Sequence, residues 1–342
     1  KRGQFVLTMK EKVSILGAGG WGTTLAVVLA QKKDLDVTLW SPFKDHVDEI
    51  KRDRQNKIFL PGVDIPPSLS VTADLPAALV VPVLIVAIPV EYLRQTLQKV
   101  KRVHVSVKGK IFVSVIKGIE IKNLVRPSQI LAGELGISLK QIAVLSGPTI
   151  AKEVASGIPS VATVASHVTA YAARIQKLFS GTTLRVYTHN DVVGIETAGA
   201  LKNIIAIACG ISDGLGFGTN TKSALICRGL KEMIRFASAF KIKPPAFLGI
   251  SGIGDLCTTC FSSASRNRSL GEAIGRGAAL AEVLGSMKTV AEGVGTTKAV
   301  YRLSKKYSID MPITREIYAV LYNKKTPQKA VKDLMARPLK AE

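Results

Sequence analysis

The sequence predicts an α/β amino-terminal domain with a mostly parallel sheet, followed by an all-α carboxy-terminal domain. Three observations carry this prediction. Apolar, β-rich runs alternate with helical text through the first half of the chain. A glycine turn joins the first of these runs to the first helix. Past about Thr188 the strand text stops and only helical periodicity remains. Continuous apolar strands separated by helices indicate a parallel sheet covered on both faces. The 342 residues suit two domains at about 150 residues each. The change of text places their boundary near Tyr187–Asn190, dividing the chain into 1–189 and 190–342.

Residues 12–16 (KVSIL) read as a strand, 17–22 as the glycine turn and 23–31 (TTLAVVLAQ) as a helix. Residues 37–40, 83–88, 111–116, 142–145 and 160–165 read as further strands. In the second half, 191–211 is a long helix rich in small residues. Residues 221–240, 269–283, 296–307, 313–321 and 327–335 read as helices after it.

Composition narrows the function classes. Apolar residues at 47% and charged residues at 21% describe a globular chain with a buried core. Lys and Arg number 47 against 25 Asp and Glu, a net charge of +22. That balance suits an anionic ligand, nucleic acid or a membrane surface without choosing among them. Nine of the basic residues lie in 94–126 against one acidic residue, yet no nucleic-acid motif accompanies them. Four cysteines make no disulfide framework, and Cys257-x-x-Cys260 lacks the second pair that a zinc site needs. No metal is therefore expected. Cys209 and Cys227 read as small core residues in apolar helices. The apolar stretch 77–90 is too short for a membrane span and holds Pro82 and Pro89. No signal peptide or C-terminal address is recognised, and a reducing cytoplasmic setting is expected.

Gly17-Ala18-Gly19-Gly20-Trp21-Gly22 matches GxGxxG between a strand and a helix, the context that gives the motif meaning. Gly17 permits the tight turn, Gly19 lets the backbone approach a pyrophosphate, and Gly22 lets helix and strand pack closely. The free N–H groups and positive dipole end of the helix then face the phosphates. This predicts a Rossmann-type dinucleotide site for NAD or NADP. The second strand ends Leu39-Trp40-Ser41-Pro42, with no carboxylate before Asp45 and with Lys44 nearby. The usual device against NADP is missing, so the cofactor choice stays open.

A hydride-transfer enzyme must also move a proton. His46, His104, His167 and His189 lie in no motif and read as surface or loop residues. Lys202, alone among Ala, Gly and Ile in 196–211, is costly to desolvate without a purpose, and burial would lower its pKa toward neutrality. Lys117 ends an apolar strand, at the sheet edge where such sheets bind ligands. Residues 146–149 (SGPT) form another strand-end turn. Gly254-Asp255 and Ser265-Arg266-Asn267-Arg268 are polar islands, the second a phosphate-clamp candidate. The structural alternatives are a snorkelling lysine for Lys202, a surface lysine for Lys117, and solvated loops for the islands.

Together these residues resemble the NAD(P)-dependent glycerol-3-phosphate dehydrogenase family from about Val13 to Leu334. The matching segments are GAGGWGTTLA (17–26), FLPGV (59–63), KGIE (117–120), SGPTIAKEVASGIP (146–159), ALKNIIAI (200–207), SDGLGFGTNTKSALICRG (212–229), GIGDLCTTC (252–260), SRNR (265–268), AEG (291–293) and MPIT (311–314). The resemblance implies Lys202 as catalytic lysine with Asn203 beside it, and Lys117 near both nicotinamide and substrate. It implies that Asp255 positions Lys202 and a substrate hydroxyl. Arg266 and Asn267 with adjacent Ser265 become the substrate-phosphate clamp, and Gly147 and Thr149 substrate contacts. Gly20, Trp21, Ala151, Val290 and Glu292 become cofactor contacts, as does Arg266 beside them. Pro42 stands near the adenosine where relatives often carry His, Arg or Phe.

The implied reaction is reversible reduction of dihydroxyacetone phosphate to sn-glycerol 3-phosphate, supplying phospholipid synthesis. Hydride would reach C2, with Lys202 as general acid/base. A homodimer is implied by family analogy. The competing readings are a related dehydrogenase acting on a 3-hydroxy acid or ketoacid, and a basic protein binding nucleic acid or a membrane surface. Nucleic-acid binding is not expected, and membrane attachment at most as a weak, salt-sensitive property.

Overall fold

The computed structural model describes residues 10–287 and 289–339. The expectations about the two chain ends, at 1–9 and 340–342, lie outside the described residues. The chain runs β1 (Glu11–Leu16), α1 (Gly20–Ala30), β2 (Leu35–Trp40), α2 (Lys44–Asp53), then a small hairpin β3 (Gln55–Asn56) and β4 (Leu60–Asp64). It continues with β5 (Ser70–Thr72), α3 (Leu75–Leu79), β6 (Val83–Val86), α4 (Val90–Arg102), β7 (Ile111–Ser114) and α5 (Pro127–Leu135). Next come β8 (Ile142–Ser146), α6 (Ala151–Ala155), β9 (Ser160–Ser166), α7 (Thr169–Phe179) and β10 (Leu184–His189).

The strands form one eight-stranded sheet in the order β10-β9-β8-β7-β6-β1-β2-β5. Every residue of β6, β7 and β8 is buried, as the unbroken apolar runs require. Pairing is parallel throughout except between β8 and β9. The reversal has a local cause. The link from β8 to β9 stays at one edge of the sheet, where α6 packs on α1 and Thr24 Oγ1 donates to Ala151 O at 3.0 Å. With no crossover along the sheet, β9 must run back.

The second half is helical: α8 (Val192–Gly214), α9 (Thr219–Ala239), α10 (Pro245–Leu248), a π turn at Ile250–Gly254, α11 (Asp255–Phe261) and α12 (Arg266–Gly275). It closes with α13 (Leu280–Ser286), α14 (Glu292–Lys306), α15 (Pro312–Tyr322) and α16 (Pro327–Met335). Helix α8 is long and apolar enough to cross a bilayer, but every residue from Gly194 to Ser212 is buried in the protein. It is apolar all round because it is enclosed all round. Its packing on α12 is unusually close. A Cβ on Gly210 would sit 2.0 Å from Arg268 O, and one on Gly271 2.2 Å from Ile207 O.

Several sequence expectations need correction. The predicted helix 269–283 is two helices, α12 and α13, separated at Arg276–Ala279, where Gly277 has φ +103°. Strand β10 was not anticipated, because its alternating text (LRVYTH) is that of an edge strand with one exposed face. Cys227 is exposed, unlike the buried Cys209. His46 is buried on α2, where its ring shares a 3.1 Å hydrogen bond with Asn56 Oδ1.

Candidate active site

The carboxyl edge of the sheet carries the glycine turn. Gly17 has φ +115°, and a Cβ there would lie 2.6 Å from Ala87 O. A Cβ on Gly22 would lie 1.9 Å from Gly17 O, so α1 can pack on β1 only with glycine. Gly19 differs: a Cβ there would meet nothing within 4 Å. Packing within the protein therefore does not require its bareness. Gly20 lies against Phe59 O and faces the Cβ of Ala151. Asn56, which sequence reasoning missed, braces the turn from beneath. Its Nδ2 donates to Ala18 O at 2.9 Å and to Thr23 Oγ1 at 2.8 Å.

These residues fit a dinucleotide diphosphate. Helix α1 opens at Gly19 with no side-chain cap, leaving its first N–H groups free. The indole Nε1 of Trp21 is buried without a hydrogen-bond partner among the described residues. Pro42 is exposed just past β2.

Helix α8 brings Lys202 to the same edge. Gly199, one turn earlier, lets the helix lie against the tip of β8, where a Cβ would meet Ser146 Oγ at 2.8 Å. Ser251 Oγ holds that tip by donating to Ser146 O at 2.7 Å. Lys202 Nζ donates to Asp255 Oδ1 and, at 2.6 Å, to Thr259 Oγ1. Lys117 Nζ donates to Asp255 Oδ2 at 2.7 Å and to Gly147 O at 2.9 Å. Asn203 Nδ2 donates to Lys117 O at 2.8 Å. Asp255, read as part of a polar island, is instead the buried first residue of α11. Thr259 was not singled out. Its only sequence signal is its place four residues after Asp255, which puts both on one helix face.

Electrostatics follow from this geometry. Burial pushes the Lys202 ammonium down to about 8; Asp255 opposes that and Lys117 reinforces it. Burial raises the Asp255 carboxyl, but Lys117 and Lys202 outweigh it and hold the group below the usual carboxylate range. Two cations around one carboxylate leave a net positive site suited to an anionic substrate.

The phosphate-clamp candidates line the same crevice. Ser265 caps α12 by accepting from Arg268 N at 3.3 Å. Exposed Arg266 reaches Val290 O through Nη1 at 3.0 Å. Asn267 Oδ1 accepts from Gly293 N at 3.0 Å. Gly293 packs against Asn203 O, where a Cβ would come within 2.9 Å, so α12 and α14 meet α8 beside Lys202. Burial raises the Glu292 carboxyl, with Arg266 pulling the other way. Thr149 Oγ1 donates to Gly147 O at 3.1 Å. The structure thus joins Lys117, Gly147, Lys202, Asn203 and Asp255 directly, with Arg266, Asn267, Val290 and Glu292 alongside. Pro42 stands apart at the β2 tip. Among the described residues no His, Cys, Asp or Glu group has the arrangement of a metal site.

Residues 12–172 match the family described as NAD-dependent glycerol-3-phosphate dehydrogenase N-terminus, and 191–332 its C-terminus. The chain is 45% identical to a glycerol-3-phosphate dehydrogenase [NAD(P)+] of Geobacter sulfurreducens over 336 residues, covering 98% of this chain and 99% of that one. It is 43% identical over 332 residues to the protein of the same name from Chlorobium chlorochromatii, covering 96% and 99%. The crystal structure of glycerol-3-phosphate dehydrogenase from Coxiella burnetii superposes with a TM-score of 0.90 at 37% identity, covering 96% of this chain and 99% of that chain. A ketopantoate reductase from Ralstonia eutropha shares the fold at a TM-score of 0.58 and 17% identity.

Proposed function

We propose, from the premise that this chain belongs to the NAD-dependent glycerol-3-phosphate dehydrogenase family, that it reduces dihydroxyacetone phosphate to sn-glycerol 3-phosphate with NAD(P)H. The observation that carries the chemistry is the buried Lys202–Asp255–Lys117 cluster at the edge of the sheet that bears the dinucleotide cradle. A bound reduced nicotinamide supplies the hydride. Lys202, poised near neutrality, donates the proton that the developing C2 alkoxide requires and takes it back in the reverse direction. Asp255 and Thr259 fix the direction of that ammonium, and Lys117 supplies positive charge for the carbonyl oxygen. Arg266 and Asn267 hold the phosphate, so that binding far from C2 orients the reacting carbon. Ser265 fixes the start of α12, and Gly147 and Thr149 complete the substrate side.

On this reading Gly17, Gly19, Gly20, Trp21, Gly22, Ala151, Val290 and Glu292 form the dinucleotide side, together with Lys117 and Arg266, and Pro42 lies near the adenosine. The two functional units divide at 189/190, a reading supported by the end of β10 at His189 and the start of α8 at Val192. The working unit is a cytoplasmic homodimer supplying glycerol phosphate for phospholipids, which sedimentation and lipid-precursor labelling test.

The decisive assay follows loss of reduced-nicotinamide absorbance with dihydroxyacetone phosphate, in parallel with a ketoacid and a 3-hydroxy acid couple. Turnover restricted to the phosphorylated ketone is expected. Preference for an unphosphorylated carboxylate overturns the assignment.

A further inference from the structure

We infer that the amino edge of the sheet, where β6, β7 and β8 begin, is a docking surface for an anionic lipid bilayer. The basic run at 94–126, of which the reaction above uses only Lys117, thereby acquires a role.

Strands β6, β7 and β8 are parallel, with Val83 beside Ile111 and Phe112 beside Ile142. Their carboxyl ends lead to Ala87, Lys117 and Gly147 at the crevice, so their amino ends form the opposite edge. Three segments enter the strands there: 80–82, 103–110 and 136–141. Hydrogen bonds join them into one surface. Lys110 Nζ donates to Leu79 O at 2.7 Å and to Val81 O at 2.9 Å, and Gln141 Nε2 to Val107 O at 3.3 Å and Lys110 O at 3.2 Å. None of the three segments holds an Asp or Glu. Helix α4 ends on this edge, and its last turn carries Lys99, Lys101 and Arg102. These three, with His104, Lys108 and Lys140, are exposed. Their side chains make no ion pair or hydrogen bond among the described residues.

The nearby carboxylates are engaged elsewhere. Glu134, at the end of α5, pairs with Arg94, and Asp74 caps α3 by accepting from Ala77 N at 3.0 Å. Cations in a last turn complement the helix dipole, but that reason stops at Arg102 and does not reach His104, Lys108 or Lys140. Uncompensated charges so close together raise a positive potential over the edge, suited to a surface of many phosphates. Beside them Val80 is 65% exposed and Leu139 41% exposed, aliphatic side chains of the kind that sit among lipid headgroups. No Phe, Trp or Tyr occurs in 80–82, 99–110 or 136–141, so the stacking platform that holds single-stranded nucleic acid is missing. Docked by this edge, the protein keeps its crevice open to solvent. Glycerol 3-phosphate formed there is released beside the membrane, where the acyl transfer that turns it into lipid must deliver its product. The docking itself does not rest on that reaction, because binding is measured without turnover.

Flotation with phosphatidylcholine vesicles, with and without about one-third phosphatidylglycerol, is to be run in about 0.05 M and about 0.3 M salt. The wild type should favour the anionic vesicles at least about tenfold at low salt and lose most of that preference at high salt. Lys101→Glu/Arg102→Glu/Lys140→Glu should weaken binding at least about tenfold. Lys231→Glu/Lys243→Glu/Lys332→Glu removes the same charge from exposed lysines of the helical half, and should weaken it less than about threefold. Lys101→Gln/Arg102→Gln/Lys140→Gln, which reverses no charge, gives a second reading of the edge and should fall between the two. Absence of binding to anionic vesicles at low salt, equal binding to neutral ones, or equal losses in the two Glu triples overturns the inference. Displacement from the vesicles by an equimolar DNA duplex overturns it too, and assigns the edge to nucleic acid.

Discussion

The two sides of the crevice are made of different materials. The proposed diphosphate cradle is almost entirely backbone: a glycine turn, the open end of α1, and a buried Asn56 that pins the turn. The proposed catalytic side is almost entirely charged side chain: Lys117, Lys202 and Asp255, drawn from three distant parts of the chain. Backbone N–H groups present fixed partial charges at no desolvation cost beyond that of folding, so they suit a ligand that must bind and leave unchanged. Buried side-chain charges are costly to enclose, but they titrate, and a proton-transfer site needs that.

Substitutions on the two sides should separate these roles. Lys202→Ala should show the largest effect, lowering kcat by about 10²–10⁴-fold while leaving dinucleotide affinity within a factor of two. Near-normal turnover in that variant removes Lys202 from the mechanism. Glu196 ties the halves together away from the chemistry. On α8, it accepts from Ser128 N at 2.7 Å, Ser128 Oγ at 2.6 Å and Arg126 Nη1 at 2.5 Å. Glu196→Ala leaves Arg126 unpaired and should cost about 3–5 kcal/mol in denaturant unfolding. A cost below 1 kcal/mol would show that the helix is held by apolar packing alone.

Arg266→Ala should raise KM for the phosphorylated substrate about 10- to 100-fold, in keeping with loss of a charge-assisted contact. An unchanged KM rules Arg266 out of the clamp. On the backbone side, Gly19→Ala meets no atom in the protein, so melting should be unaltered while dinucleotide affinity falls about tenfold. Gly22→Ala, aimed at Gly17 O, should destabilise instead by about 1–3 kcal/mol. Identical behaviour of the two variants would erase the distinction between cradle and packing glycines.

The smallest effect is in the pH profile. With Lys202 near 8, reduction needs the ammonium and should decline as pH rises through about 8, whereas oxidation needs the free amine and should climb there. Asp255 holds that value up, so Asp255→Asn should move the inflection to lower pH. An inflection that stays in place assigns it to another group.

How far these features could be read in advance depends on range. The turn, its strand and its helix occupy a continuous segment, and Gly17, Gly19 and Gly22 carried their reasons in their spacing. Lys202 stood out because a lone ammonium in apolar helical text needs an explanation. Thr259 and Asn56 did not stand out, since a hydroxyl or amide is unremarkable until its partner is known. The reversal of β9 was equally hidden. Alternating and apolar runs specify a strand, but its direction depends on where the preceding link packs.

Sequence alone settled the α/β-then-α order, the dinucleotide turn and the family, because periodicity and glycine spacing act over short stretches of chain. Only the tertiary structure decided that Lys117 and Lys202 share the two oxygens of one carboxylate and that Glu196 bolts α8 to α5. Those contacts join residues 138, 53 and 68 positions apart. The energy of a buried charge is set by what surrounds it in space, which neighbours in sequence do not specify.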